Sequence, residues 1–214
     1  MSSDLEATLR KLKPEKRRTP LKPRQEAGLE FVDTTSKKPR KLLYDTTVYI
    51  DILQGRFPNN GDVTLRAAEA WHSPVTEAEL VAAIALLDPI NPQTPAISQE
   101  ISAVIERRPG YRIIVPDAEV WREAGLLSGI LARLQGYGKD HRRRLLNDSL
   151  LFASARKHGC SLLTRNVVDF DFLQQLDLQA TFSSTNSSCA YRKHRPTLKG
   201  RSSFRDVDFW AAPR

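Results

Sequence analysis

Four acidic residues, Asp45, Glu79, Asp148 and Asp169, stand where this 214-residue chain passes between short apolar runs and helical ones. Asp45 ends the apolar run KLLY, and Glu79 falls in the first turn of the helical run TEAELVAAIALL. Asp148 opens the helical run NDSLLFASARKHG, and Asp169 follows the run SLLT within TRNVVDFDF. In open α/β sheets ligands gather at the carboxyl ends of strands. If a sheet brings these ends together, three or four carboxylates share one cleft, where like charges raise each other's pKa or demand a cation. No Cys or His joins the set, so an oxygen-only donor group points to Mg²⁺ or Mn²⁺ rather than zinc.

Each acid also has a simpler role open to it. Glu79 completes T-x-x-E with Thr76, a capping box that steadies a helix start without any metal. Asp148 at a helix N-terminus is favoured by the helix dipole whatever it binds. Asp169 and Asp171 can be solvated turn residues, with Asn166 forming a local side-chain turn. Asp45 is explained least well in this way, because Thr46 or Thr47 can cap the helix that follows it.

The elements that must position these groups alternate along the chain. KLLYD reads as a strand and TTVYIDIL as a helix, while residues 64–71 are helical in composition. HSPV is extended before Pro74, and the helix TEAELVAAIALL ends at Asp88 and Pro89. Thr94 caps PAISQEISAVIERR, YRIIVP is a strand or connector, and AEVWREAGLLSGILARLQ is a helix by its apolar spacing. GYGKDHRRR reads as a loop. NDSLLFASARKHG is a helix ended by Gly159, SLLT a buried strand and LDLQATF a further strand after a turn. This alternation predicts an α/β fold with a parallel sheet covered by helices on both faces.

Charge divides the chain. Residues 1–41 carry 12 basic and 6 acidic side chains, residues 42–190 carry 14 and 17, and residues 191–214 carry 7 and 2. The reading is an acidic body, 42–182, between a flexible basic extension, 1–41, and a flexible basic tail, 183–214. Either basic segment is a solubilising arm or an attraction for nucleic acid phosphates. The longest wholly apolar run, Leu80 to Leu87, is far short of the roughly 20 residues of a membrane span, and the N-terminus has no apolar export signal. A cytoplasmic protein without membrane association is expected. Cys160 and Cys189 lack metal-site spacing and read as reduced thiols. His72, His141, His158 and His194 lack the i, i+4 spacing of a histidine metal centre.

The stretches LLYDTTVYIDIL, SPVTEAELVAA and NDSLLFASARKHGCSLLTRNVVDF, in this order and spacing, resemble the PIN domain family, and within it the ribonuclease toxins of VapBC toxin–antitoxin pairs. The last is the most specific: D-x6-A-x3-G followed by L-T-x-N-x2-D-F matches the family pattern nearly residue for residue. The resemblance spans about Leu42 to Leu173 and neither basic segment. It implies a three-layer α/β/α sandwich with a central parallel sheet and a metal-dependent nuclease site at the sheet's carboxyl edge. By matching position, Asp45, Glu79, Asp148 and Asp169 become catalytic metal ligands, with Thr164 and Asn166 flanking them. Thr46 would orient Asp45 or a bound water, and Asp171 would substitute or assist.

The resemblance further implies in-line hydrolysis of RNA that leaves a 5′ phosphate and a 3′ hydroxyl, a VapB-like antitoxin partner and a homodimer. An acidic site needs neighbouring cations to hold the RNA backbone. Arg142, Arg143 and Arg144 are the first candidates, with Arg165 and Arg56 next; the alternative for the arginine run is a solvated loop. Trp71, Trp121 and Trp210 read as core or lid residues rather than base-stacking ones. Two other functions remain open: a PIN nuclease of RNA maturation or decay without an antitoxin, and a catalytically silent module that binds nucleic acid.

Overall fold

The computed structural model describes residues 4–25, 28–29, 40–57, 68–178 and 181–184. In chain order its elements are helix α1 (Asp4–Leu12), strand β1 (Lys41–Tyr44), helix α2 (Thr46–Leu53), strand β2 (Glu69–Trp71), helices α3 (Pro74–Ala85), α4 (Thr94–Glu106), α5 (Ala118–Gln135) and α6 (Lys139–Lys157), strand β3 (Ser161–Thr164), helix α7 (Val167–Leu176) and strand β4 (Phe182–Ser184). Short 3₁₀ turns lie at Pro14–Lys16 and Gly110–Arg112. The four strands form one parallel sheet in the order β2-β1-β3-β4.

Strand alternation builds two cores, because successive side chains of a strand point to opposite faces. Leu42 and Tyr44 of β1 and Leu163 of β3 face Val48, Tyr49, Leu80, Ile97 and Ile101 of α2, α3 and α4. Leu43, Leu162 and Phe182 face Leu127, Leu131, Leu151, Phe152, Phe170 and Leu173 of α5, α6 and α7. Helices therefore cover both faces of the sheet, as the sequence predicts, and the layers are α/β/α.

Several local expectations differ from the structure. Glu69–Trp71, helical by composition, is an edge strand pairing in parallel with Lys41–Leu43. Ladder hydrogen bonds override a helix propensity worth a few tenths of a kcal/mol per residue, roughly 0 to 0.7. YRIIVP is a connector whose Ile113 bridges to His72, and the final strand is Phe182–Ser184 rather than the whole of LDLQATF. Residue 68 is a bend, and residues 64–67 of the predicted helix lie outside the described residues.

Lys139–Arg144, expected in a loop, forms the first turns of α6. Its side chains show no apolar stripe because these turns are exposed, except for part-buried His141. Gly138 takes the extended N-cap position and Asp140 sits in the first turn, where the helix dipole favours an acid. The preceding helix ends at Gly136, whose φ of 66° is the left-handed C-cap conformation that suits glycine.

Residues 4–25, from the segment expected to be a flexible arm, fold onto the body. Leu12 is 1% exposed in the α5–α7 core. Lys11 pairs with Glu123 (3.1 Å) and Asp177 (2.5 Å), two buried acids that Arg156 also contacts. Arg24 binds buried Asp171 through both its backbone N–H (2.8 Å) and its guanidinium. These buried carboxylates need partners to be tolerated in the interior, and the basic segment supplies them. Residues 30–39 and the 185–214 tail lie outside the described residues.

Candidate metal-dependent active site

The carboxyl edge of β1 and β3 holds the predicted acids. Asp45 follows β1 directly, and its N–H continues the ladder to the carbonyl of Leu163 (3.0 Å). It is 3% exposed. Its side chain accepts from the Thr46 N–H (2.7 Å), the Thr47 hydroxyl (2.6 Å) and the Thr164 hydroxyl (2.7 Å). Asp45 is thus itself the N-cap of α2, the role assigned above to the threonines, and it still presents its carboxylate at the sheet edge.

Glu79 comes from α3. That helix is docked by Thr76, whose hydroxyl donates to the carbonyl of Tyr44 (3.2 Å), one residue before Asp45. Ser73, not Thr76, caps it, accepting from the Val75 N–H (3.2 Å). The capping box is therefore absent, and Glu79 is free to accept from the Thr46 hydroxyl and from Asn147 Nδ2 (2.7 Å). Thr46 serves Glu79 with its hydroxyl and Asp45 with its backbone.

Asp148 lies in the middle of α6 instead of opening it, so the helix dipole does not explain its place. It accepts from Asn166 Nδ2 (3.1 Å), and the same nitrogen donates to Asp169 Oδ2 (3.1 Å). Asn166 is held between β3 and α7, its own N–H donating to Thr164 Oγ1 (2.9 Å). Asp169, in the first turn of α7 and 8% exposed, also accepts from the Tyr137 hydroxyl (2.9 Å) and lies 3.3 Å from His141 Nε2.

The four acids lie near enough for their charges to act on one another. Burial pushes the Asp148 carboxyl well above the usual carboxylate range, and the neighbouring charges of Asp45, Asp169 and Glu79 push it further; the Asn166 hydrogen bond opposes them. Burial also raises Asp45, against its threonine donors. Glu79 is raised by burial and by Asp45, against Thr46, Asn147 and Arg144. Such mutual repulsion among oxygen-only donors is relieved by a hard divalent cation. Among the described residues no three acidic, His or Cys side chains close around one point.

The auxiliary residues divide. Thr46, Thr164 and Asn166 lie within the cluster. Asp171 does not: it is turned to Arg24 and Gln175 on the side of the N-terminal segment. Arg142, Arg143 and Arg144 are exposed on the first turns of α6, and Arg144 lies close enough to Glu79 to lower its pKa. Arg165 reaches buried Asp51 (2.6 Å), with Arg56 at 3.8 Å. Trp71 is half-buried with Lys41 over its ring (5.8 Å), Trp121 is half exposed, and Trp210 lies outside the described residues.

Thr47, Tyr137, His141 and Asn147 contact the four acids without having been given a place in the site from the sequence. Only Tyr137 carried a signal, an aromatic set between two glycines where a helix–helix connection needs none.

No curated protein matches the chain. The chain is similar to the solved structure of VapBC2 from Rickettsia felis bound to a promoter DNA fragment, at 15% identity and TM-score 0.47, covering 67% of this chain and 97% of that one. It is similar to DNA-bound VapBC from Salmonella typhimurium at 16% identity and TM-score 0.46, covering 69% and 99%, and to FitAcB from Neisseria gonorrhoeae at 20% and 0.46, covering 67% and 97%. The sequence model of the PIN domain matches residues 42–171, which hold all four acids and run from β1 into α7. The chain belongs to the PIN domain family.

Proposed function

We propose that this protein is a divalent-metal-dependent endoribonuclease, acting in the cytoplasm as the toxin of a toxin–antitoxin pair. The observation that carries the reading is the convergence of Asp45, Glu79, Asp148 and Asp169 from four separate segments, with the charge of the other three raising the pKa of Asp148. Mg²⁺, or Mn²⁺, held by these four would supply a Lewis acid that lowers the pKa of water and offsets charge on the scissile phosphate.

The chain's own groups supply the order. Thr47 and Thr164 fix the rotamer of Asp45 and favour its ionised form against the effect of burial, Thr46 and Asn147 do the same for Glu79, and Asn166 donates to both Asp148 and Asp169. Exposed Arg142 and Arg143 offer guanidinium groups to the RNA backbone, a contact the acidic cluster cannot make. No protein nucleophile is required, and the products are a 5′ phosphate and a 3′ hydroxyl. The toxin role rests on the motif resemblance to VapBC ribonucleases; it brings with it a VapB-like antitoxin and a homodimer. The nuclease unit expected over residues 42–182 takes in Lys41 of β1 and Ser183 and Ser184 of β4 as well, with the remaining basic segments as its extensions.

The test is incubation with RNA in Mg²⁺ and in EDTA, beside Asp148→Asn. Cleavage in Mg²⁺ that EDTA and the substitution abolish supports the reading. RNA binding with no cleavage under any condition overturns it in favour of a silent binding module. Co-purification with the product of an adjacent gene tests the antitoxin.

A further inference from the structure

At the rim of the carboxylate cluster Tyr137 and His141 form a two-ring stack, with centroids 3.7 Å apart and planes 28° from parallel. The stack is pinned from three sides. The Tyr137 hydroxyl donates to Asp169 Oδ1 (2.9 Å), the Tyr137 carbonyl accepts from Arg142 Nε (2.9 Å), and His141 Nε2 lies 3.3 Å from Asp169 Oδ2. Glycines on both sides of Tyr137 let the connection turn twice, closing α5 at Gly136 and opening α6 at Gly138. Tyr137 covers one face of the imidazole, yet the His141 side chain remains 41% exposed, next to the exposed guanidinium groups of Arg142 and Arg143.

A partly exposed imidazole backed on one face by a tyrosine ring, between the acidic cluster and exposed arginines, matches what an unpaired base requires. Unstacked bases of RNA bind on aromatic and histidine side chains, whereas a base inside a duplex has no free face to offer. Building on the ribonuclease reading, we infer that His141, backed by Tyr137, is a stacking platform for an unpaired nucleotide beside the scissile phosphate. Tyr137 is the positioning residue: its hydroxyl fixes the platform to Asp169, so base and phosphate are registered to the same carboxylate.

The experiment is fluorescence titration of the full-length protein in EDTA with a short single-stranded RNA carrying 2-aminopurine, the same strand annealed to its complement, and a strand with one abasic position. The proteins are wild type, His141→Ala and His141→Tyr. Base stacking on an aromatic contributes about 1–3 kcal/mol per base, so His141→Ala is expected to weaken single-strand binding roughly 5- to 150-fold. Duplex binding stays as it was, 2-aminopurine quenching disappears, and His141→Tyr restores both quenching and affinity. The abasic strand binds wild type and His141→Ala alike.

Unchanged single-strand affinity and quenching in His141→Ala overturns the platform while leaving the ribonuclease reading intact. Failure of His141→Tyr to restore binding also overturns it, since a stacking surface is what tyrosine retains. A wild-type protein that neither binds nor cleaves RNA overturns both.

Discussion

Replacing Asp148 by asparagine is expected to make the metal-free protein more stable. The carboxylate oxygens of Asp148 and Asp169 each lie 3.1 Å from the same Asn166 nitrogen, so they are no more than about 6 Å apart. Two unit charges at that separation repel by roughly 0.7 kcal/mol in bulk water and roughly 2.8 kcal/mol at an effective dielectric constant of about 20. Asp45 and Glu79 add to the same repulsion. Asp148→Asn keeps the shape and an oxygen to accept from Asn166, so about 1–3 kcal/mol of stabilisation is expected in EDTA at pH 7.

The pH dependence has a definite sign. An unfolded Asp titrates near pH 3.9, whereas the native Asp148 holds its proton to higher pH. Across that interval the folded state binds more protons, so wild-type stability falls as pH rises through it, and the advantage of the variant grows. Below about pH 3.9 both states are protonated and the advantage vanishes. In Mg²⁺ the variant's advantage shrinks: at 100 times its Kd an ion adds about 2.7 kcal/mol to the wild type, and the variant gains less. Urea unfolding in EDTA and in Mg²⁺, read as midpoints at unchanged slope, measures all of this. A variant less stable than wild type in EDTA at pH 7 refutes the reasoning, because the four carboxylates would then not be repelling one another.

Three further outcomes are expected. Asn166→Ala removes the one amide that donates to both Asp148 and Asp169, and catalytic efficiency is expected to fall roughly 10- to 100-fold with the circular dichroism spectrum unchanged. Arg24→Ala leaves the buried carboxylate of Asp171 without its guanidinium; a loss of roughly 2 kcal/mol in urea unfolding is expected, with cleavage per folded molecule preserved, since Asp171 faces away from the site. Arg143→Gln is expected to lower the slope of log affinity against log salt by about 0.7 on single-stranded RNA, without altering sensitivity to chelator.

The sheet-edge acids were legible because their signal is local. Asp45 and Asp169 follow short apolar runs whose length and termination mark them as β1 and β3, and parallel pairing then fixes where they meet. Glu79 was legible by motif, but the reason for its freedom, Ser73 as cap, is a competition between two hydroxyls that spacing alone does not decide. The start of α6 was not legible: Lys139–Arg144 is stabilised by helix propensity and its N-terminal acid, neither of which produces an apolar period. That error moved Asp148 from a helix end to a helix middle.

Asp171 could not be separated from Asp169 by sequence. Two residues apart on α7, they point about 200° apart around the helix, so one faces the site and the other the N-terminal segment. The docking of residues 4–25 was hidden for a related reason. Its cations meet Glu123, Asp171 and Asp177, acids more than a hundred residues away, and composition reports only the excess of charge.

The most direct test of the acidic cluster is the anomalous difference density of crystals grown with Mn²⁺. A peak between Asp45 and Asp148, lost in Asp148→Asn, is the predicted result. Clear density for all four side chains with no peak among them at saturating Mn²⁺ contradicts the account.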